Sequence, residues 1–158
     1  MRAFKNILGF TMIIVAISCS EDVAPKPFTF SKKITGENNK TWKIKFFEET
    51  LNGEVEDTFT VGCTSDDQYV FYANSERLME VKSGASKCFV DPEPAIQTDT
   101  WSYNSGTATL TMLFPIFADF SLPFIVRDLS DDDMEIEIFI DAENTASYRI
   151  HFDAIDEE

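Results

Sequence analysis

The sequence of 158 residues has few of the groups on which enzyme chemistry usually depends. It contains one histidine, His151, and three cysteines, and it shows no nucleophile elbow, phosphate-binding loop or zinc motif. Its N-terminal apolar run spans only Ile7 to Ala16, too short for a bilayer core that needs about 20 residues. Basic residues are scarce, with 13 Lys and Arg against 28 Asp and Glu. These features argue against an enzyme, a membrane-spanning helix and a nucleic-acid partner.

Residues 1–18 are predicted to be a lipoprotein signal peptide. Arg2 and Lys5 precede the apolar run, and small residues end it before Cys19. Residues 16–19, Ala-Ile-Ser-Cys, resemble the lipobox of bacterial lipoproteins, in which cleavage leaves a lipid-bearing cysteine at the mature N-terminus. The resemblance implies that Cys19 is a membrane anchor, since two acyl chains suffice for stable anchoring. An ordinary secretory peptide cut nearby is the alternative.

Residues 19–40 are predicted to be a tether. Pro25 and Pro27 favour an extended chain. The acidic residues that follow Cys19 resemble the surface-export signal of lipoproteins of the Bacteroidota, which implies a location at the outer membrane. A plain solvated linker is the alternative.

The cysteine count is consistent with an exported protein. If Cys19 is acylated, Cys63 and Cys88 remain as an even pair in an oxidising compartment. A disulfide between them would contribute about 3–4 kcal/mol in the chain-entropy model. Two free buried cysteines are the alternative, because a sequence does not show the geometry that a disulfide needs.

The rest of the chain, residues 41–155, is predicted to be one all-β domain. Apolar and polar residues alternate with period two, which is typical of half-buried strands. Asn52 and Gly53 predict a hairpin turn between the first two strands, because both residues tolerate positive φ. Eight or nine short strands in sequence order predict an antiparallel up-and-down barrel. About eight strands enclose an interior that side chains fill or that holds one small ligand.

Four motifs resemble the lipocalin-like domain of Bacteroidota lipoproteins. They are Lys-Thr-Trp-Lys-Ile at 40–44, Cys-Thr-Ser-Asp-Asp-Gln-Tyr-Val-Phe at 63–71, Cys88, and Trp-Ser-Tyr at 101–103. The resemblance covers about residues 34–155. It implies a small antiparallel barrel with a lipocalin-type cavity, in a family of mostly unknown function.

The barrel interior is the leading candidate for a ligand site. An aromatic-rich cavity suits a small apolar ligand and needs no metal or cofactor. The alternative is a solid barrel whose surface docks another envelope protein, because the same side chains would then pack against one another. The residues predicted to line the interior are Trp42, Phe46, Phe59, Phe71, Trp101, Tyr103, Met112, Ile138 and Tyr148.

Other polar groups are interpreted as structural. The acidic runs 66–67 and 131–133 lack the spaced ligands of a calcium loop, and Asp is common in turns. Glu135 and Glu137 share a strand face, as a glycosidase pair would, but the opposite face is aliphatic and they are predicted to point to solvent. His151 is predicted to lie on a polar surface.

The most apolar irregular stretch runs from Phe114 to Phe124 and contains Pro115 and Pro123. Two interpretations are open. The favoured one is a distorted strand buried in the core. The other is a hydrophobic lip over the barrel mouth or a loop that docks a partner.

Overall fold

The computed structural model describes residues 27–87 and 96–155. These residues form a nearly closed antiparallel β-barrel, which confirms the predicted fold class, with ten strands instead of about eight. No helix in the described part of the chain is long and apolar enough to cross a membrane. The elements are α1 (Pro27–Thr35), β1 (Asn39–Leu51), β2 (Glu54–Phe59), β3 (Gln68–Tyr72), β4 (Leu78–Lys82), β5 (Ile96–Thr100), β6 (Ser102–Asn104), β7 (Thr109–Leu113), β8 (Ser121–Leu129), β9 (Asp133–Phe139) and β10 (Ala146–Ile155).

The strands follow the predicted up-and-down order. The sheet runs β5-β4-β3-β1-β10-β9-β8-β7-β6, so the first and last strands pair in the middle of the path. The two ends of this path, β5 and β6, are consecutive in sequence and separated only by Trp101. One bent segment therefore pairs with β4 on one side and with β7 on the other, and it brings the sheet round into a barrel.

Strand β1 is the longest and is shared by three neighbours. It pairs with β10 over nearly its whole length, and its other edge pairs with β3 near its start and with β2 near its end. The turn between β1 and β2 has positive φ at Asn52 (52°) and Gly53 (83°), which confirms the predicted hairpin. The division of one segment into β5 and β6, on either side of Trp101, raises the strand count above the eight or nine predicted.

A short helix occupies part of the predicted tether, so the prediction of an extended linker over 19–40 is wrong for residues 27–35. Helix α1 packs one end of the barrel, where Ile34 is fully buried. It ends at Thr35 and is followed by Gly36, whose φ of 62° suits the residue after a helix and whose N–H donates to the Lys32 carbonyl at 2.7 Å. The sequence carries these signals locally: Pro27 at the first turn, Phe30 and Ile34 four residues apart, and glycine after the last turn.

Aromatic rings fill the middle of the barrel. Phe114 is fully buried there and makes five ring contacts, with centroid distances from 5.1 to 6.4 Å. A fully buried side chain of this size contributes about 1.5–3 kcal/mol to folding, so this cluster is a large part of the core. The rings that Phe114 contacts are Phe47, Tyr69, Phe117, Phe124 and Phe152.

Candidate binding site at the open end of the barrel

Eight of the nine residues predicted to line the interior face it. Four of them are buried in the packed core: Trp42, Phe71, Trp101 and Met112. The other four lie partly buried at its margins: Phe59, Tyr103, Ile138 and Tyr148. The central rings pack against one another. The prediction that this lining holds a ligand stays a prediction.

Phe46 is the exception, and its assignment to the interior is wrong. The pairing of β1 with β10 shifts register between Ile44 and Phe46, so Ile44 and Phe47 both face the core. Phe46 instead lies on the outer face and stacks on His151, with ring centroids 4.2 Å apart. A bulge of this kind moves every later side chain to the opposite face, and simple alternation does not reveal it.

One end of the barrel is closed by the helix. The indole N–H of Trp42 donates to the Ile34 carbonyl at 2.8 Å, and the Lys33 ammonium donates to the Leu129 carbonyl at 3.0 Å. The ammonium of Lys40 donates to the Lys33 carbonyl at 3.1 Å. The bonds to Ile34 and Lys33 satisfy carbonyls at the end of α1, where no further turn supplies N–H donors, and the bond to Leu129 ties α1 to β8. We call this the closed end.

The opposite end, where β1 finishes at Leu51, is the open end. Here β1, β9 and β10 extend past the packed core and keep its alternation. Leu51 lies opposite Ala146, and the Ile140 N–H donates to the Ala146 carbonyl at 3.0 Å, so the three residues form a row across neighbouring chain segments. Leu51 and Ile140 are 44% and 54% exposed, although they lie on the face that is buried further down the barrel.

Aromatic residues continue this surface toward the core. Tyr148 stacks on Phe117 at 5.7 Å and meets the edge of Phe59 at 6.2 Å, while Phe117 is 37% exposed. Phe117 also touches Phe114, which links the surface to the central cluster. We call the combined surface the open-end face; it consists of Leu51, Phe59, Phe117, Ile138, Ile140 and Tyr148.

The sequence predicts only part of the open-end face. Phe59, Ile138 and Tyr148 are among the residues predicted to line the interior, whereas Leu51, Phe117 and Ile140 are not. The sequence does carry a signal for Leu51, because counting back from the turn at Asn52 places it on the same strand face as Phe47. The segment from Phe114 to Phe124 divides between the two interpretations: its two terminal phenylalanines are buried, whereas Phe117 and Phe120 are exposed.

The outer face carries a separate charged cluster. Glu135 and Glu137 share a face as predicted, but the expectation that both point to solvent is wrong for Glu137, which is 2% exposed. Its carboxylate accepts hydrogen bonds from Ser147, at 2.5 Å, and from Arg127, and it lies 3.3 Å from Arg149. Burial raises the pKa of Glu137, but these donors outweigh it and leave the pKa below its ordinary value. Glu137 is therefore held as a carboxylate.

His151 lies on the same outer face, as predicted. Its Nε2 is 3.4 Å from the Glu48 carboxylate and its Nδ1 is 4.0 Å from that of Glu135. The ring of Phe46 stacks on the imidazole, and His151 Nε2 has no hydrogen-bond partner among the described residues. The residues that the structure describes bring no serine or cysteine nucleophile into this arrangement.

The acidic pair 66–67 is a backbone clip. The Asp66 carboxylate accepts N–H bonds from Ala85, at 2.8 Å, and Ser86, at 3.1 Å, and Asp67 accepts from Gly84 at 2.8 Å. The Ser86 N–H is the main reason that the pKa of Asp66 is lowered. Within 27–87 and 96–155, no group of three His, Cys, Asp or Glu could hold a metal ion. In the second acidic run, Ser130 Oγ accepts from the Asp133 N–H at 2.8 Å, which marks an ordinary turn.

The clip bears on the cysteine pairing. It joins the chain just after Cys63 to the chain just before Cys88, so it shortens the gap that a disulfide would have to close. Cys88 and the lipidation candidate Cys19 lie outside the described residues, and both assignments stay predictions.

Comparison with known proteins adds no name to the fold: no family model matches the chain, and no curated protein matches it. The class that the structure defines is a small antiparallel β-barrel with one end covered by a helix. The resemblance to lipocalin-like lipoproteins rests on the sequence motifs alone.

Proposed function

We propose that this chain is a lipid-anchored, non-enzymatic binding protein of the cell envelope that takes a small hydrophobic ligand at the open end of its barrel. The observation that carries the proposal is the open-end face, where Leu51, Phe117 and Ile140 continue the core surface but remain exposed. Ligand sites are mostly apolar and concave, and the mouth of a barrel is one of the places where they occur.

The proposal moves the site away from the centre of the barrel. The contacts of Phe114 occupy that centre, and a side chain packed on five rings is costly to displace. The open-end face already exposes its apolar area to water, so covering it releases free energy at about 25 cal/mol per Å² without unpacking the core.

Binding is testable with a neutral apolar fluorophore such as N-phenyl-1-naphthylamine, titrated into the mature chain without lipid (residues 20–158, exported so that cysteines can oxidise). Leu51→Ser and Ile140→Ser are expected to weaken binding about thirtyfold together, since each removes roughly 1 kcal/mol of buried apolar contact. Val55→Ser is the matched control. Val55 lies on the same hairpin and is 47% exposed, but it pairs with Thr50 on the outer face.

Equal affinity in all three variants would contradict the proposed site. Loss of binding in the control alone would place the ligand on the outer face. No enhancement of fluorescence by the parent chain would reject hydrophobic-ligand binding at this surface.

The envelope location rests on the sequence at residues 1–19. Growth with a labelled fatty acid is expected to label the full chain, and Cys19→Ser is expected to abolish the label. A chain that stays unlabelled when Cys19 is intact would contradict the anchor.

The second candidate is a solid barrel that docks another envelope protein. The filled centre favours it, and so does Phe120, which is 64% exposed in the loop between β7 and β8, directly before β8 begins. Phe120→Ser would then weaken capture of the partner from detergent-solubilised envelopes but leave fluorophore binding intact. The opposite pattern would favour the ligand site.

A further inference from the structure

Three carboxylates share the strand face on which the proposed ligand would lie. Glu49 is directly opposite Tyr148 on β10 and directly opposite Asp57 on β2. Residues that are directly opposite in an antiparallel pair project to the same side of the sheet. Phe59, two residues after Asp57, stacks on Phe47 at 5.5 Å and fixes this as the inner side. Beyond the bulge, Glu54 is opposite Leu51 and falls on the same side.

These carboxylates differ from the acids of the outer face in one respect. Glu137 and Glu135 have Arg149 beside them. Glu49, Glu54 and Asp57 are exposed, and no ion pair joins them to a Lys, Arg or His of residues 27–87 and 96–155. One Asp57 oxygen accepts the Thr58 N–H at 2.8 Å, which leaves the negative charge uncompensated.

Glu49 and Asp57 are moreover a like-charge pair across two strands, an arrangement that destabilises a sheet. A cation placed between them would relieve that repulsion. The rings of Phe59 and Tyr148, which meet at 6.2 Å, stand next to the pair, and the face of an aromatic ring attracts a positive group.

We propose that the ligand of the open-end face is a cationic amphiphile: an apolar body that covers Leu51, Phe117 and Ile140, with an amine or quaternary ammonium held between Glu49 and Asp57. This inference rests on the proposed function and specifies the chemistry of its ligand. An anionic amphiphile such as a fatty acid would meet three carboxylates and be repelled by them. A second copy of the chain would bring two such sets together, so self-association through this face is opposed by charge.

The test compares three ten-carbon ligands in displacing the neutral fluorophore from the lipid-free mature chain: decylamine, decanol and decanoate. Decylamine is expected to bind about tenfold more tightly than decanol, from two exposed charge contacts and a cation–π contact, and decanoate more weakly than either. The advantage of decylamine should shrink as salt rises, because the carboxylates are exposed.

The deciding variant combines Glu49→Gln with Asp57→Asn. It is expected to bring the affinity for decylamine down to that for decanol, without lowering the affinity for decanol. The control combines Glu76→Gln with Asp131→Asn, which removes the same charge from exposed turns at the closed end, and it should keep the tenfold preference. The deciding variant should also melt at a higher temperature than the parent, since it removes the repulsion; a purely structural role for these carboxylates predicts a lower one.

Equal binding of decylamine and decanol by the parent would overturn this inference and leave the proposed hydrophobic site standing. Absence of binding by all three ligands would instead reject the proposed function. Butylamine that competes as well as decylamine would also overturn the inference, because charge alone would then account for binding.

Discussion

The two ends of this barrel differ in whether the apolar interior is covered. At the closed end, α1 covers the apolar interior, and Trp42, Lys33 and Lys40 satisfy or hold backbone carbonyls around it. At the open end, the strands run past the core and leave Leu51 and Ile140 in water. Apolar area left uncovered in this way is typical of a surface that binds a ligand or a partner.

The difference separates residues that stabilise the fold from residues that are free to bind. Large stability effects are expected at the core and the closed end, and small ones on the open-end face. Four substitutions at packed positions follow, in decreasing order of expected effect on the free energy of unfolding.

Phe114→Ala is expected to cost about 3–5 kcal/mol, because it removes a fully buried ring from the centre of five ring contacts. Phe120→Ala, six residues further along the same loop, is expected to change stability by no more than about 0.5 kcal/mol. Urea unfolding of both variants measures the contrast. Similar costs at the two positions would mean that the whole loop between β7 and β8 is part of the core.

Gly84→Ala is expected to cost about 1–3 kcal/mol, because a Cβ at this position would lie 2.1 Å from Cγ of Asp66 and push the clip apart. Gly62→Ala is the control within the same region, since no atom lies within 4 Å of its Cβ position. Thermal melts compare the two. If both variants melt with the parent, the clip does not hold the chain between Cys63 and Cys88.

Glu137→Gln is expected to cost about 1–2 kcal/mol at pH 7 by weakening charge-assisted hydrogen bonds to a carboxylate that is buried beside two arginines. The folded pKa of Glu137 lies below its unfolded value of about 4.3. Its contribution is therefore complete above that value and is lost as pH falls through the folded pKa.

Unfolding measured from pH 7 to pH 2.5 should show the parent and Glu137→Gln converging in acid. Glu143→Gln, in the exposed turn between β9 and β10, should follow the parent throughout. A constant gap between the parent and Glu137→Gln would show that the loss does not come from ionisation.

Trp42→Phe is expected to cost about 1 kcal/mol or somewhat more, because it keeps an aromatic ring but removes the indole donor to the Ile34 carbonyl. Amide hydrogen exchange should speed up in α1 more than in β9. Uniform acceleration across the barrel would indicate that the helix does not open separately from the sheet.

The fold class could be predicted because its signals are local. Alternation marks the strands, Asn52-Gly53 marks a turn, and strands joined in sequence order indicate an up-and-down barrel. The segment before β1 carries conflicting local signals. Pro25 and Pro27 favour an extended tether, whereas Gly36 and the spacing of Phe30 and Ile34 indicate a short helix.

The candidate site was harder to predict because it depends on long-range register. The bulge before Phe46 reverses which side chain faces inward, and only the pairing with β10 reveals it. The burial of Glu137 requires arginines from two other strands. The exposure of Leu51 depends on how far β1 extends beyond the packed core, which is a property of the assembled barrel.

The most direct measurement is a map of backbone amide shifts in the ¹⁵N-labelled lipid-free chain as decanol is added. We expect the largest changes at Leu51, Phe117 and Ile140, saturating together, with Ile34 and Trp42 unmoved. Tyr69 is the interior reporter, because its buried hydroxyl has no hydrogen-bond partner among the described residues. Changes centred on Tyr69 and Trp42, or no change at saturating decanol, would contradict a ligand site at the open end.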